Sequence, residues 1–395
     1  MSLLERLQHI PDPRIHRRRR HDLIDLLAIA LCATIGGADN WVEVAQFGQA
    51  HHDWFKRFLR LPSGIASHDT FARVFRLLDE QALEAACLEW MRSAAGQVKG
   101  VVAIDGKTVC GATPAGSSRP ALHMLSAWAA DMGVLLGQCK VDGKSNEITA
   151  IPKLLKLLDV QGCIVTIDAM GCQKAIAEHI VQQGADYVLT LKGNHRHLHG
   201  VCKKHFASEE APSTGEQVYR EEGNGHSRKE SRHYWVTPIP ESMRRAAKAW
   251  AGIKCLVRVQ RTRQCAGKEA SESTSYYISS LPANTPAKVL AHSIRSHWQV
   301  ENALHWSLDV SFSEDASRVR KDNAAHNLAL MRRLLQVALS HTKKSHSWGA
   351  RYCPVSSAER KKCSATLSKS WPLCSIFSIH HALPAASEGR ASSVL

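Results

Sequence analysis

Apolar positions recur at helical spacing through residues 1–98, then in short β-branched runs from Val101 onward, and this change of period divides the chain. Asp22 can cap a helix whose apolar run from Leu23 to Ile35 ends at Gly36-Gly37, with glycine just past a helix end where it is commonest. A second helix follows Asn40. A third begins after Ser67, with Phe71, Val74, Phe75 and Leu78 on one face. The Ser67-His68-Asp69-Thr70 opening after a Pro-Ser-Gly turn has the look of an entry to a helix-turn-helix recognition helix, and a plain helical bundle accounts for the same residues.

Strands are expected at 101–104, 123–129 and 134–141, each short, β-rich and bounded by turn residues. A helix over 148–158 follows, with Pro152 placed in its first turn. Next come a buried strand (163–167), a helix (173–183) and a further strand (187–191). The order β-β-β-α-β-α-β predicts an α/β fold, a mixed sheet flanked by helices. Residues 200–283 are polar and strand-like, as at Tyr234-Trp235-Val236 and Tyr276-Tyr277-Ile278, and read as a β-rich insertion. At Thr285-Pro286 the chain turns helical again, with Thr as N-cap and Pro at the first position.

Composition narrows the class. Of 395 residues 44% are hydrophobic and 22% charged, which excludes a mostly disordered, fibrous or membrane-bound chain. The run Leu23 to Ile35 is too short to span a bilayer and carries Asp25. The twelve cysteines contain no CxxC pair. With no cleavable apolar leader after Arg17–Arg20, a cytoplasmic location is expected. The net charge of +15 suggests a polyanionic partner, but it is concentrated at the two ends, in residues 1–21 and 343–395. Net charge alone does not establish nucleic-acid binding.

The candidate chemistry lies in two runs of one design, Val-Val-Ala-Ile-Asp ending at Asp105 and Ile-Val-Thr-Ile-Asp ending at Asp168. Runs without alternation suit strands buried on both faces. Residues just past the carboxyl ends of adjacent strands converge on one crevice. Asp105-Gly106 equally suits a hairpin turn, and Asp168 a cap for the helix near Gln173. Glu301 falls in the stripe of Leu290, Ile294, Trp298, Leu304 and Leu308, where a buried carboxylate needs a pair or a metal, unless the stripe rotates and leaves it at the edge. Three carboxylates suit Mg²⁺, for which Mn²⁺ can substitute, and two such ions suit phosphodiester chemistry.

These residues sit within longer recognisable stretches: RRRRHDLIDLLAIALCATIGGADNW (17–41), SHDTFARVF (67–75), AIDGKT (103–108), KSNEITAIPKLL (144–155), TIDAMGCQK (166–174), DYVLTLKGNH (186–195) and HWQVENALHWSLDVSFSEDASRVR (297–320). Together they resemble the insertion-sequence DDE transposases of the ISAs-type branch, which includes the H-repeat-associated proteins. The resemblance implies a helical, DNA-binding transposase-associated domain at 1–98 and an RNase H-like catalytic domain at 99–342 with its insertion near 200–283. It implies Asp105, Asp168 and Glu301 as catalytic, metal-holding acids spaced by 63 and 133 residues. It also implies double-stranded DNA, both element ends and target, as partner, and a homo-oligomer on that DNA.

In the wider group a basic residue precedes the Trp and a Lys follows the Glu by seven; here His297 and Leu308 take those places. Phosphate contacts are therefore expected from Arg295, His297, Arg318, Arg320 and Lys321; Lys107 suits a phosphate contact or a surface turn, and Arg17, Arg18, Arg19 and Arg20 suit backbone contacts or a solvated basic arm. His123 and His305 read as structural or assisting, Asp142, Lys144 and Glu147 as a solvated turn, and Asp309, Glu314 and Asp315 as rivals to Glu301. Residues 343–395 do not match the family's usual ending and read as a disordered or frame-shifted tail. An inactive DNA-binding remnant and a host nuclease of the same fold remain alternatives.

Overall fold

In a computed structural model, residues 2–113, 121–141, 146–207, 217–225, 228–265 and 269–345 are described. The chain divides into two compact units, residues 91–309 and the residues on either side of them.

The first unit begins with helices α1 (Leu3–Leu7), α2 (Leu23–Ile35), α3 (Trp41–Ala50), α4 (His52–Phe55), α5 (His68–Leu77) and α6 (Glu80–Ala95). Leu26, Leu27, Ile29 and Leu31 are all buried, so α2 is apolar all round because it is the inner helix of the bundle. Asp22 stands at its N-cap position without a side-chain bond to the helix. Asp25, in the first turn, is buried and its Oδ2 accepts the Leu61 N–H at 2.9 Å. Leu61 has φ of +44°, and the bond to Asp25 helps hold that strained turn.

The second unit is built on a nine-stranded sheet. Its first strands are β1 (Val101–Val109), β2 (Leu122–Ala129) and β3 (Val134–Lys140), then β4 (Ile164–Ile167) and β5 (Asp186–Leu191). The insertion adds β6 (Gln217–Gly225), β7 (Arg228–Pro238), β8 (Cys255–Cys265) and β9 (Ser271–Ser279). Strand order is β3-β2-β1-β4-β5-β9-β8-β7-β6, with β1, β4 and β5 parallel and the other pairings antiparallel. The first five form the RNase H-like core. The insertion is no separate module: β9 pairs with β5, so its strands prolong the central sheet.

Helices α7 (Glu147–Lys156) and α8 (Lys174–Gln182) contact each other and cover β2, β3 and β5. Pro152 is the sixth residue of α7, past the first turn in which it was expected. Helix α9 (Arg196–Ala207) occupies the start of a stretch expected to be strand-like and lies on β9. A short α10 (Arg244–Ala247) precedes β8. On the other face lies α11 (Ala287–His297), whose Leu290, Ala291 and Ile294 pack with Val188, Val236, Val257 and Val259. Pro286, rather than Thr285, is its N-cap. A π-helical turn (Val300–His305) and α12 (Trp306–Val310) follow.

The last helix, α13 (Ala324–Ser345), belongs with the N-terminal helices and contacts α2 and α5. Asn327 Nδ2 donates to the carbonyls of Phe75 and Leu78 at the end of α5, at 2.9 and 3.0 Å. Arg333 and Glu314 are both fully buried and paired, Nη1 to Oε1 at 2.5 Å and Nη2 to Oε2 at 3.2 Å. Among the described residues no helix is long and apolar enough to cross a membrane. The expectation of a disordered or frame-shifted tail falls almost wholly on residues outside those described, as do Asp142 and Lys144.

Candidate active site

Strand register brings the two aspartates together. Ala103 lies beside Thr166 and Ile104 beside Ile167 in the parallel pair β1–β4, and β4 ends at Ile167. The next residues on the two strands are Asp105 and Asp168. Side chains alternate along a strand, so Asp105 shares the face of Ala103 and Asp168 that of Thr166, the side on which α11 lies. β1 itself does not stop at its acid. It continues to Val109, with Asp105 opposite Ser126 and Gly106 opposite Leu125 on β2, which excludes the hairpin turn at Asp105-Gly106. Beyond Ile167 the β4-side edge of β1 is open, and that step in the sheet forms the crevice. Asp168 Oδ1 accepts the N–H groups of Met170 and Gly171 at 3.0 and 3.2 Å, so it pins the turn before α8, whose own N-cap is Gln173.

Glu301 arrives by a different route from the one its spacing suggested. Leu290, Ile294, Leu304 and Leu308 are buried as expected, but Trp298 is 54% exposed and Val300 takes its place on the buried stripe. The π-helical turn holds an extra residue per turn, which rotates the face and leaves Glu301 exposed. Exposure spares the carboxylate a desolvation cost that a straight α-helix would have imposed.

Electrostatics link these groups. Burial, together with the charges of Glu147, Glu301 and Asp168, pushes the Asp105 carboxyl up to about 7, against the pull of the Gly106 N–H. Glu147, the first residue of α7, is the acid that the pattern left as solvated. It is a part-buried neighbour of this site, with Oε1 2.6 Å from His123 Nε2. His305 Nδ1 stands 3.7 Å from Asp105 Oδ2. Burial lowers the His297 pKa, while the charge of Asp168 and a Thr166 backbone hydrogen bond act the other way; His297 Nδ1 also stands 3.2 Å from Thr166 Oγ1.

Several expected DNA contacts are engaged within the protein. Lys107, two residues along β1 from Asp105 and on the same face, is buried and its Nζ lies 2.9 Å from Asp309 Oδ1. That pairing occupies one rival for the third acid, and the buried pair with Arg333 occupies another, Glu314. Arg295 Nη1 donates to Glu221 Oε1 at 3.0 Å. Arg19 donates to the carbonyls of Arg14 and Asp12, whereas Arg17 and Arg20 are exposed. Arg17 and Arg18 lie in a short 3₁₀ turn. Arg318 and Lys321 are exposed and Arg320 half-buried, all three in the helical unit.

Among the described residues no three His, Cys, Asp or Glu side chains stand close enough to hold a metal ion. The donor chemistry nonetheless fits a hard divalent cation. Every candidate ligand is a carboxylate oxygen, and the charges of Glu147, Glu301 and Asp168 add to burial in raising Asp105. Mg²⁺ takes only one or two carboxylates, completing its shell with water and substrate phosphate, so a closed protein cage is not required.

Comparison with known proteins places the chain in a family. The transposase DDE domain family matches residues 96–337, and the DDE_Tnp_1-associated family matches residues 4–91. The chain is 40% identical over 336 residues to "Putative transposase YncI" of Escherichia coli O157:H7, covering 84% of this chain and 86% of that one. It is 37% identical over 346 residues to "H repeat-associated putative transposase YhhI" of Escherichia coli K12, covering 87% and 91%. A solved structure, the piggyBac transposase synaptic complex with hairpin DNA, aligns over 93% of this chain and 81% of that one, with 12% identity and a TM-score of 0.37. The chain belongs to the DDE transposase family. It is related to the H-repeat-associated transposases.

Proposed function

We propose that this transposase cuts DNA at the ends of its insertion sequence and joins the freed ends to target DNA at one site formed by Asp105, Asp168 and Glu301. The observation that carries this reading is the β1–β4 register, which sets Asp105 beside Asp168 at the step where β4 ends. The three carboxylates would hold Mg²⁺, with Mn²⁺ able to substitute, and the bound ions would activate the attacking oxygen and stabilise the leaving one. Asp105, on the sheet, provides the fixed ligand position, and the Asp168 turn holds the second carboxylate against the helix that follows. Glu301 comes from the opposite wall on an exposed turn, where DNA can reach it.

Lys107 is suited to steady the phosphate next to Asp105, and its release from Asp309 would accompany that contact. His297 and Arg295 line the same helix, α11. Arg17, Arg18, Arg20, Arg318, Arg320 and Lys321, with Arg19 bracing the N-terminal loop, would grip backbone phosphates of the terminal repeats. Joining two element ends calls for a homo-oligomer on the DNA, and the chemistry calls for a cytoplasmic location at the chromosome.

The test is cleavage of a duplex carrying the gene's flanking terminal repeats, with Mg²⁺ or Mn²⁺, by the wild type beside Asp105→Ala and Glu301→Ala. Metal-dependent nicking at the repeat ends, lost in both variants, is the expected result. Specific binding without nicking would instead mark a DNA-binding remnant, and nicking indifferent to the repeats a nuclease.

A further inference from the structure

The neighbourhood of Asp105 includes a fourth carboxylate with a support of its own. Glu147 Oε1 is 2.6 Å from His123 Nε2, and His123 Nδ1 is 2.9 Å from Thr108 Oγ1. With the Thr108 hydroxyl donating to Nδ1, Nε2 carries the proton and donates to Glu147. The chain Thr108–His123–Glu147 therefore ties α7 to β1 and β2 and fixes the rotamer of Glu147.

Gly106 makes the arrangement possible. A Cβ at this position would lie 2.1 Å from Glu147 Oε1 and 2.3 Å from His123 Nε2, both impossible approaches. The space that any other side chain would fill, one residue from Asp105, is taken by the carboxylate–imidazole pair. Gly106 faces the α7 side and Asp105 the α11 side, neighbours on a strand whose β4 partner has ended at Ile167. Glu147 acts on Asp105 electrostatically, together with Glu301 and Asp168. A solvated helix-terminal acid needs neither a glycine cradle nor a part-buried histidine partner.

We propose that Glu147, aimed by His123 through the gap at Gly106, is a fourth carboxylate of the divalent-ion site, additional to Asp105, Asp168 and Glu301. This rests on the catalytic reading of those three acids. The contribution of His123 is positioning: it holds Glu147 and, through Thr108, registers it to the strand carrying Asp105. An outer partner of this kind typically changes metal affinity about 10–100-fold when removed.

The test is Mn²⁺ binding to the full chain without DNA, by titration calorimetry, for wild type, Glu147→Gln, Gly106→Ala and Asp105→Asn, with melting temperatures in chelator. Gln keeps an oxygen to accept from His123, so Glu147→Gln should melt as the wild type does yet bind Mn²⁺ about 10-fold or more weakly. Gly106→Ala, which displaces the pair and changes no charge, should weaken binding in the same direction. If Glu147→Gln and Gly106→Ala bind Mn²⁺ as the wild type does while Asp105→Asn does not, Glu147 is only a staple between α7 and β2. That result overturns the inference and leaves the three-acid site standing. If wild type and Asp105→Asn bind alike, the three-acid ion site is itself wrong and the inference falls with it.

Discussion

Asp105 is the residue at which the cost of the site is concentrated. Its ordinary value is 3.8, and burial beside three other acids lifts it to about 7 in the folded protein. A carboxyl whose folded value is raised binds its proton more tightly when folded, so this group adds stability as the pH falls from 7 toward 4 and withdraws it as the pH rises. Asp105→Asn, a permanent mimic of the protonated form, is thus expected to melt higher than the wild type in chelator at pH 8. The gain should shrink as the pH is lowered through 7 and the native carboxyl takes up its own proton. A variant that melts lower at pH 8 would show that the charge of Asp105 is already balanced. Asp168 separates differently. Asn retains the Oδ1 that accepts from Met170 and Gly171, whereas Ala leaves both N–H groups without it. Asp168→Asn should melt near the wild type, Asp168→Ala should lose about 0.5–2 kcal/mol as lost caps do, and both should lose cleavage.

Among the elements, α13 and the β-rich extension have the clearest energetic signatures. The Glu314–Arg333 pair is wholly buried, and removing one member strands the other charge. Glu314→Ala should cost about 3–5 kcal/mol in denaturant unfolding, whereas replacing both residues with apolar ones should cost much less. A loss under about 1 kcal/mol, the scale of a surface pair, would rule out the pair as buried. In the extension, Arg295 on α11 meets Glu221 on β6, Arg232 on β7 holds Glu230, and Arg261 on β8 joins the same Glu230. Tyr234 donates to Glu221 at 2.8 Å. This ladder ties three strands to the helix that leads into Glu301, which gives the long insertion a part in placing that residue. Arg295 was expected to contact DNA because Leu308 stands where the wider group has a Lys. Its salt bridge could not be read from sequence, since Glu221 lies 74 residues away.

At the scale of the molecule, recognition of DNA is expected to rest on phosphate contacts spread along the chain. Each phosphate neutralised steepens the fall of log affinity against log salt by about 0.9. Arg17→Ala with Arg20→Ala should flatten that slope by up to about 1.8 for duplex DNA of any sequence, while leaving the fold intact because both side chains are exposed. An unchanged slope would make the N-terminal arm a solvated surface.

The two strand acids were legible because a strand buried on both faces must be continuously apolar, so an acid interrupting such a run stands out. Helices α2, α3, α5, α7, α8 and α11 and the chain order of the first five strands followed from the same periodicities, whereas α9 and α10 fell in a stretch read as strand-like, and the matching motifs pointed to the family. Glu301 was legible as a residue but not in its setting: a 3.6-residue period carries no mark of the π-helical turn that moves it to the surface. Glu147 was passed over because an acid in a first helical turn is commonplace, and only the packing of α7 on β2 with the gap at Gly106 gives it a neighbour. The sequence by itself determined the local periods, the family and two carboxylates at strand positions. Tertiary structure alone decided that the insertion prolongs the central sheet, that α13 packs with the N-terminal helices, and which cations pair internally. The physical reason is range: period and capping act over a turn or two of chain, whereas burial and pairing depend on residues brought together from hundreds of positions apart.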